Sequence, residues 1–161
     1  MTSPNAPRDK FVTPLAKAVR LLARREYGRA ELRERLIARG HPRDDVDATL
    51  DELERRGFLS DARYAQALVA HRAGRFGRRA IAHELKEKRV DADAAKQALS
   101  SLAGIDELAE AMALWRRRFD APPGDEREKA RQVRFLMARG YSMSIALKVL
   151  RDAGREGDGS P

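Results

Sequence analysis

Cysteine is missing from all 161 residues. That excludes disulfides and thiolate metal sites, and it gives no sign of an oxidising compartment. Long apolar runs are missing too, and no stretch approaches the ~20 residues a membrane helix needs. The segment Met1 to Lys10 is polar, holds two prolines and has no apolar h-region, so it does not read as a secretory signal. These absences predict a cytoplasmic chain with no membrane role. There is no run of alternating β-branched residues and no Asn-Gly hairpin, which removes the usual signals for strands. No Gly-x-x-x-x-Gly-Lys-Ser/Thr loop is present to cradle a nucleotide phosphate. The three histidines, His41, His71 and His83, show no metal-ligand spacing. Serines are few, and none sits in a nucleophile-elbow context. No catalytic residue, cofactor or metal is expected.

What is present is charge. Charged residues make up 36% of the chain, hydrophobic ones 42%, and the formal net charge is +8. Such a surplus favours a polyanionic partner: nucleic acid, an acidic protein face or a membrane surface. Arginine outnumbers lysine heavily, which suits fork-like recognition of phosphate or carboxylate. The apolar content is enough for thin helical cores and too small for a large globule.

The chain also repeats itself. The run from Tyr27-Gly28-Arg29 to Leu36 returns from Phe76-Gly77-Arg78 to Leu85, and Leu36-Ile37-Ala38-Arg39-Gly40 returns as Leu136-Met137-Ala138-Arg139-Gly140. Repeats of roughly 50 residues imply small helical units laid end to end, each leaning on its neighbours. We expect an all-α fold of three tandem three-helix repeats in an elongated, curved array. The expected divisions are a disordered lead at 1–12, repeats at 13–59, 60–104 and 105–152, and a flexible tail at 153–161.

Helix signals follow that plan. Thr13-Pro14 reads as a cap and first helical residue, and Leu15, Ala18, Val19 and Leu22 follow at helical spacing. A second helix carries Leu32, Leu36 and Ile37 and stops at Gly40. Pro42 opens a third, with Val46, Leu50 and Leu53, closed by Gly57. In the next repeat Ser60-Asp61 caps a helix with Tyr64, Leu68 and Val69. Ile81 and Leu85 lie on its second helix, and Asp91 caps a third carrying Ala95, Leu99 and Leu102, ended by Gly104. The last repeat starts at Asp106 with Leu108, Met112 and Trp115. It crosses the loop Ala121-Pro122-Pro123-Gly124, adds a helix with Val133, Leu136 and Met137, and closes on a helix capped by Ser142.

Charge alternates with the repeat. Formal charge is +6 over 8–40, −4 over 41–61, +6 over 62–89, −4 over 90–110 and +4 over 111–161. One account is that acidic third helices pair with basic neighbours, which leaves the positive surplus unexplained. Three basic clusters sit at helix junctions, where a phosphate or an acidic face can be gripped. They are Arg72, Arg75, Arg78 and Arg79; Arg24, Arg25 and Arg29, with Arg20 nearby; and Arg116, Arg117 and Arg118. Each has an aromatic beside it: Tyr27, Phe76 or Trp115. Stacking on bases is one reading of these rings; plugging the corner between helices is the other. Asp47 and Asp51, four apart on one helix, read as an acidic solvent face rather than a catalytic pair.

Asp61-Ala62-Arg63-Tyr64-Ala65, then Phe76-Gly77-Arg78-Arg79-Ala80-Ile81 and Glu84-Leu85-Lys86, resemble the RecX family of bacterial regulatory proteins. Tyr27-Gly28-Arg29 through Arg39-Gly40, and Lys129 through Tyr141, resemble it as well, so the likeness spans roughly 14 to 151. The chain departs from the family habit of Lys-Gly at the end of the middle helix, where it has Lys88-Arg89. It also lacks the Gly-Pro often found before the basic residue of that unit, since Arg78 follows Gly77 directly. The resemblance implies a monomeric, non-enzymatic regulator that binds the RecA recombinase and its filament on single-stranded DNA. It implies inhibition of RecA ATPase, strand exchange and coprotease activity, and so a part in recombination and the SOS response. Direct contact with single-stranded DNA would be the weaker interaction. The rival expectation is a free-standing helical DNA-binding protein that acts without RecA.

Overall fold

The computed structural model describes residues 12–159, which form nine α-helices and no strand. They are α1 (Pro14–Leu22), α2 (Arg29–Ala38), α3 (Arg43–Arg55), α4 (Asp61–Arg72), α5 (Arg78–Glu87), α6 (Ala92–Ser100), α7 (Glu107–Arg118), α8 (Glu126–Ala138) and α9 (Met143–Asp158). The lead expected at 1–12 lies outside the described residues except for Val12, and so do the last two residues of the tail.

Side-chain caps start most of these helices. Thr13 Oγ1 accepts the Ala16 amide at 3.1 Å, with Pro14 at the first helical position. Ser60 Oγ accepts from Arg63 at 3.2 Å, and Asp91 Oδ2 from Ala94 at 3.1 Å. Asp106, Asp125 and Ser142 do the same for α7, α8 and α9. Each such cap is worth ~1 kcal/mol.

The chain divides into two compact units. One comprises residues 1–67 and 85–98, the other residues 68–84 and 99–161. In the first, α1, α2 and α3 close around Ala18, Leu21, Leu32, Leu36, Leu50 and Leu53. In the second, α7, α8 and α9 close around Met112, Trp115, Leu136, Tyr141, Val149 and Leu150. A fully buried aliphatic side chain contributes ~1.5–3 kcal/mol.

Three expectations need correction. On α1 the buried face is Ala18 and Leu21; Leu15 and Val19 stay exposed at 38% and 46%. The short helix can present only one narrow stripe to α2 and α3, and small Ala18 lets them come close. On α6 the buried residues are Ala94 and Ala98, with Ala95 and Leu99 half-buried, and the helix ends at Ser100 before Gly104. At the end of the chain, α9 runs on to Asp158 where a tail was expected from 153. Gly154 costs ~1 kcal/mol in the helix interior. Ala153, buried at 5%, and the Arg116–Glu156 ion pair at 2.7 Å hold that turn down.

Two glycines meet at the junction that organises the second unit. The Gly77 amide donates to the Arg139 carbonyl at 2.6 Å. A Cβ on Gly77 would lie 2.6 Å from the Gly140 oxygen, and one on Gly140 would lie 2.5 Å from Ala80 Cβ. The turn before α5 and the turn after α8 therefore touch backbone to backbone.

Candidate nucleoprotein interface

The first basic cluster is largely neutralised from within its own unit. Arg29 reaches Asp51 at 2.8 Å and Glu54 at 3.1 Å, while its amide donates to Asp61 Oδ1 at 2.8 Å. Partial burial opposes the charge on Arg29, and the bonds to Glu54 and Asp51 outweigh it, so its pKa is raised. Arg33 binds Asp47 at 2.7 Å, and the guanidinium holds that carboxyl below its usual range. So Asp47 and Asp51 are arginine partners across α2 and α3 rather than a purely solvent-facing pair. Arg25 bonds Glu31 at 2.6 Å, which raises its pKa, and lies 3.6 Å over the Tyr27 ring. Tyr27 is 5% exposed with Arg25 and Arg35 over its ring, so it plugs a corner. Arg24 is exposed and forms no ion pair among the described residues.

Asp61 ties this unit together. Its Oδ1 takes the Arg29 amide and its Oδ2 takes the Asp91 amide, both at 2.8 Å. One carboxylate thus serves the starts of α2 and α6. Next to it, Arg63 bonds Glu26 at 2.9 Å and the Gly57 carbonyl at 2.8 Å.

The second and third clusters are brought together in the second unit. Arg72 forms a two-pronged bond to Glu84, both prongs at 2.8 Å, and so braces the end of α4 against α5. Arg78 donates to the Leu99 carbonyl at 3.2 Å. Arg117 reaches the Gly74 carbonyl at 3.4 Å, which places the third cluster beside the turn of the second. Arg116 binds Glu156, while Arg75 and Arg79 are exposed with no ion pair among the described residues.

A strip of guanidinium groups and rings runs on from there. Arg72 and Arg139 lie 5.8 Å and 5.4 Å from the Phe76 ring. Arg139 is also 5.2 Å from Phe135, which meets Phe119 edge-on at 5.3 Å. Arg118 and Arg131 lie 5.1 Å and 5.6 Å from Phe119. A guanidinium stacked by its face keeps its edge N–H groups for phosphate or carboxylate. Arg131 and Phe135 on α8 and Arg139 at its C-cap recur every fourth residue, a spacing visible in the sequence. Trp115 stands apart from this role. It is 5% exposed, and its Nε1 donates to Gln132 Oε1 at 2.8 Å.

Among the described residues no group of His, Asp and Glu is placed to hold a metal, and no helix is long and apolar enough to cross a membrane.

Family models for the first, second and third three-helix domains of RecX match residues 15–53, 60–99 and 105–150 in that order. A regulatory protein RecX from Leptothrix cholodnii is 47% identical over 142 residues, covering 88% of this chain and 90% of its own. The chain belongs to the RecX family. A second RecX, from Pseudomonas savastanoi pv. phaseolicola, is 42% identical over 91% of this chain and 96% of its own. Among solved structures, RecX from Lactobacillus salivarius superposes with a TM-score of 0.70 at 18% identity, covering 88% of this chain and 94% of that one. That likeness establishes the RecX helical-repeat fold. The family is one of regulatory proteins, and recombination and the SOS response are consistent with it.

Proposed function

We propose that this RecX chain regulates the RecA recombinase by binding the RecA filament on single-stranded DNA, and that it lowers the filament's ATPase, strand-exchange and coprotease activities. The observation that carries the reading is the set of cations in the second unit that no carboxylate neutralises. Arg75 and Arg79 stand exposed, and Arg118 and Arg139 are held over aromatic rings rather than over acids. A nucleoprotein fibre offers phosphates and carboxylates at regular intervals, which such cations can bind by their edges. Arg78, Arg116 and Arg117 extend the same contact, and Arg24 offers a separate cation on the first unit. Arg25, Arg29 and Arg72 hold the modules in shape. Modules joined in one chain gain by effective concentration, by factors on the order of 10²–10⁴ where geometry permits. Such a regulator works in the cytoplasm as a monomer and performs no chemistry itself.

The test is RecA ATPase on single-stranded DNA, titrated with the protein and with Arg75→Glu/Arg79→Glu. Inhibition is expected from the parent, with the inhibiting concentration raised about tenfold or more in the variant. Equal inhibition by both would remove these arginines from the interface. Tight binding to DNA alone, with no effect on RecA, would favour the free-standing DNA-binding protein.

A further inference from the structure

The start of α8, the length of α9 and the Pro122–Pro123 loop enclose an open groove of about 560 Å³ in the second unit. That is within the ~300–1,000 Å³ typical of ligand clefts. Its floor is apolar, from Pro122, Pro123 and Leu147, and its rim is cationic, from Lys129, Lys148 and Arg151. No carboxylate lines it. Arg151 has Asp152 beside it in the chain at 3.8 Å, and Lys148 also borders a neighbouring hollow lined by Asp106 and Glu107. Leu147 is 41% exposed and Met143, one turn earlier on the same face, is 54% exposed.

Gly154 completes the floor. It lies inside α9, where glycine costs ~1 kcal/mol against alanine. A Cβ there would meet nothing within 4 Å. Packing does not demand this glycine, and its effect is to keep the groove deep.

We propose that this groove docks an acidic, amphipathic peptide segment of a partner protein. Aliphatic side chains of the segment seat against Leu147 and the prolines, and its carboxylates face the three rim cations. Apolar anchors at helical spacing with a charged flank are the standard helix-in-groove arrangement. A nucleic acid suits the site less well, since the floor offers no aromatic ring to stack on. The inference does not depend on the RecA reading, because none of its residues belongs to the guanidinium strip.

Fluorescence anisotropy on the full chain tests it. The probe is a fluorescein-labelled peptide with leucines at every third and fourth position among glutamates. Saturable binding is expected, weakened about tenfold or more in Lys129→Glu/Arg151→Glu and again in Gly154→Leu, whose side chain fills the floor. A peptide with serine for each leucine and the same charge binds about tenfold more weakly. Circular dichroism of both variants stays at the parent's level, and Leu147→Ser repeats the readout should either lose helix. Four outcomes overturn the proposal. They are no saturable binding, equal affinity for the serine peptide, unchanged affinity in the folded variants, or displacement of the probe by a single-stranded oligonucleotide.

Discussion

Arg89 occupies a left-handed conformation, with φ of 51°. It aligns with Gly40 of the first repeat, whose φ is 94°. An L-residue there costs ~1–2 kcal/mol, and the exposed ion pair of Arg89 with Glu34 returns less than about 1 kcal/mol. Arg89→Gly should therefore raise stability by about 1 kcal/mol, seen as a higher urea midpoint at unchanged slope. A lower midpoint would mean that the ion pair outweighs the strain. Gly77→Ala goes the other way. Its methyl meets the Gly140 backbone, which cannot swing aside like a side chain, so a loss of ~1–3 kcal/mol is expected in the same measurement.

Tyr141 and Glu110 add a pH dependence at this scale. Burial, then Glu110 and Glu107, push the Tyr141 phenol up to about 12. Its hydroxyl has no protein hydrogen-bond partner. Desolvation, then Glu107, raises the Glu110 carboxyl above its ordinary value. A raised acid favours the folded state fully below its unfolded pKa of ~4.3, and that advantage is lost as pH rises through the folded value. At neutral pH the ionised Glu110 thus costs stability. Glu110→Gln should raise Tm at pH 7 and lose that gain once the pH drops below the unfolded value. A Tm difference that does not change between the two would refute the assignment.

At the scale of elements, α8 does two jobs on two faces. One face carries Gln132, 2% exposed, which accepts from Trp115 Nε1 at 2.8 Å and donates to the Ala121 carbonyl at 3.3 Å. A single buried amide thus joins α7, α8 and the loop between them. Gln132→Leu would leave the indole N–H without its partner, at a cost of ~1–3 kcal/mol. Thermal unfolding followed by tryptophan fluorescence reads this, and an unchanged midpoint would show the bond to be dispensable. The other face carries Arg131, Phe135 and Arg139. The helix, its stop at Gly140 and its buried Leu136 were legible in the sequence; its cap at Asp125 was not read there. The two opposed roles were not, because Gln132 and Arg139 acquire their roles from Trp115 on α7 and Phe76 before α5.

At the scale of the molecule, family and fold were readable. The repeats at Tyr27-Gly28 and Phe76-Gly77, with their echo at Arg139-Gly140, carried the family, and three RecX domain models match in the same order. The basic clusters were visible as composition. Which arginines are neutralised was not. If the interface works through phosphates, binding to the nucleoprotein should weaken with salt along a log–log slope of ~−0.7 per single-strand phosphate contacted. Arg75→Glu/Arg79→Glu should make that slope shallower. An unchanged slope would place the phosphate contacts elsewhere.

The sequence alone determined the nine helices, most of their ends, the three-fold repeat and the excess of positive charge. Those properties arise from spacings of three or four residues, from caps next to the helix they start, and from counting. Tertiary structure decided which cations remain available. Arg33 finds Asp47 14 positions away, and Arg117 finds the Gly74 carbonyl 43 positions away. Either contact requires its two partners to come within hydrogen-bonding distance, and across that much chain only the packing of helices sets it.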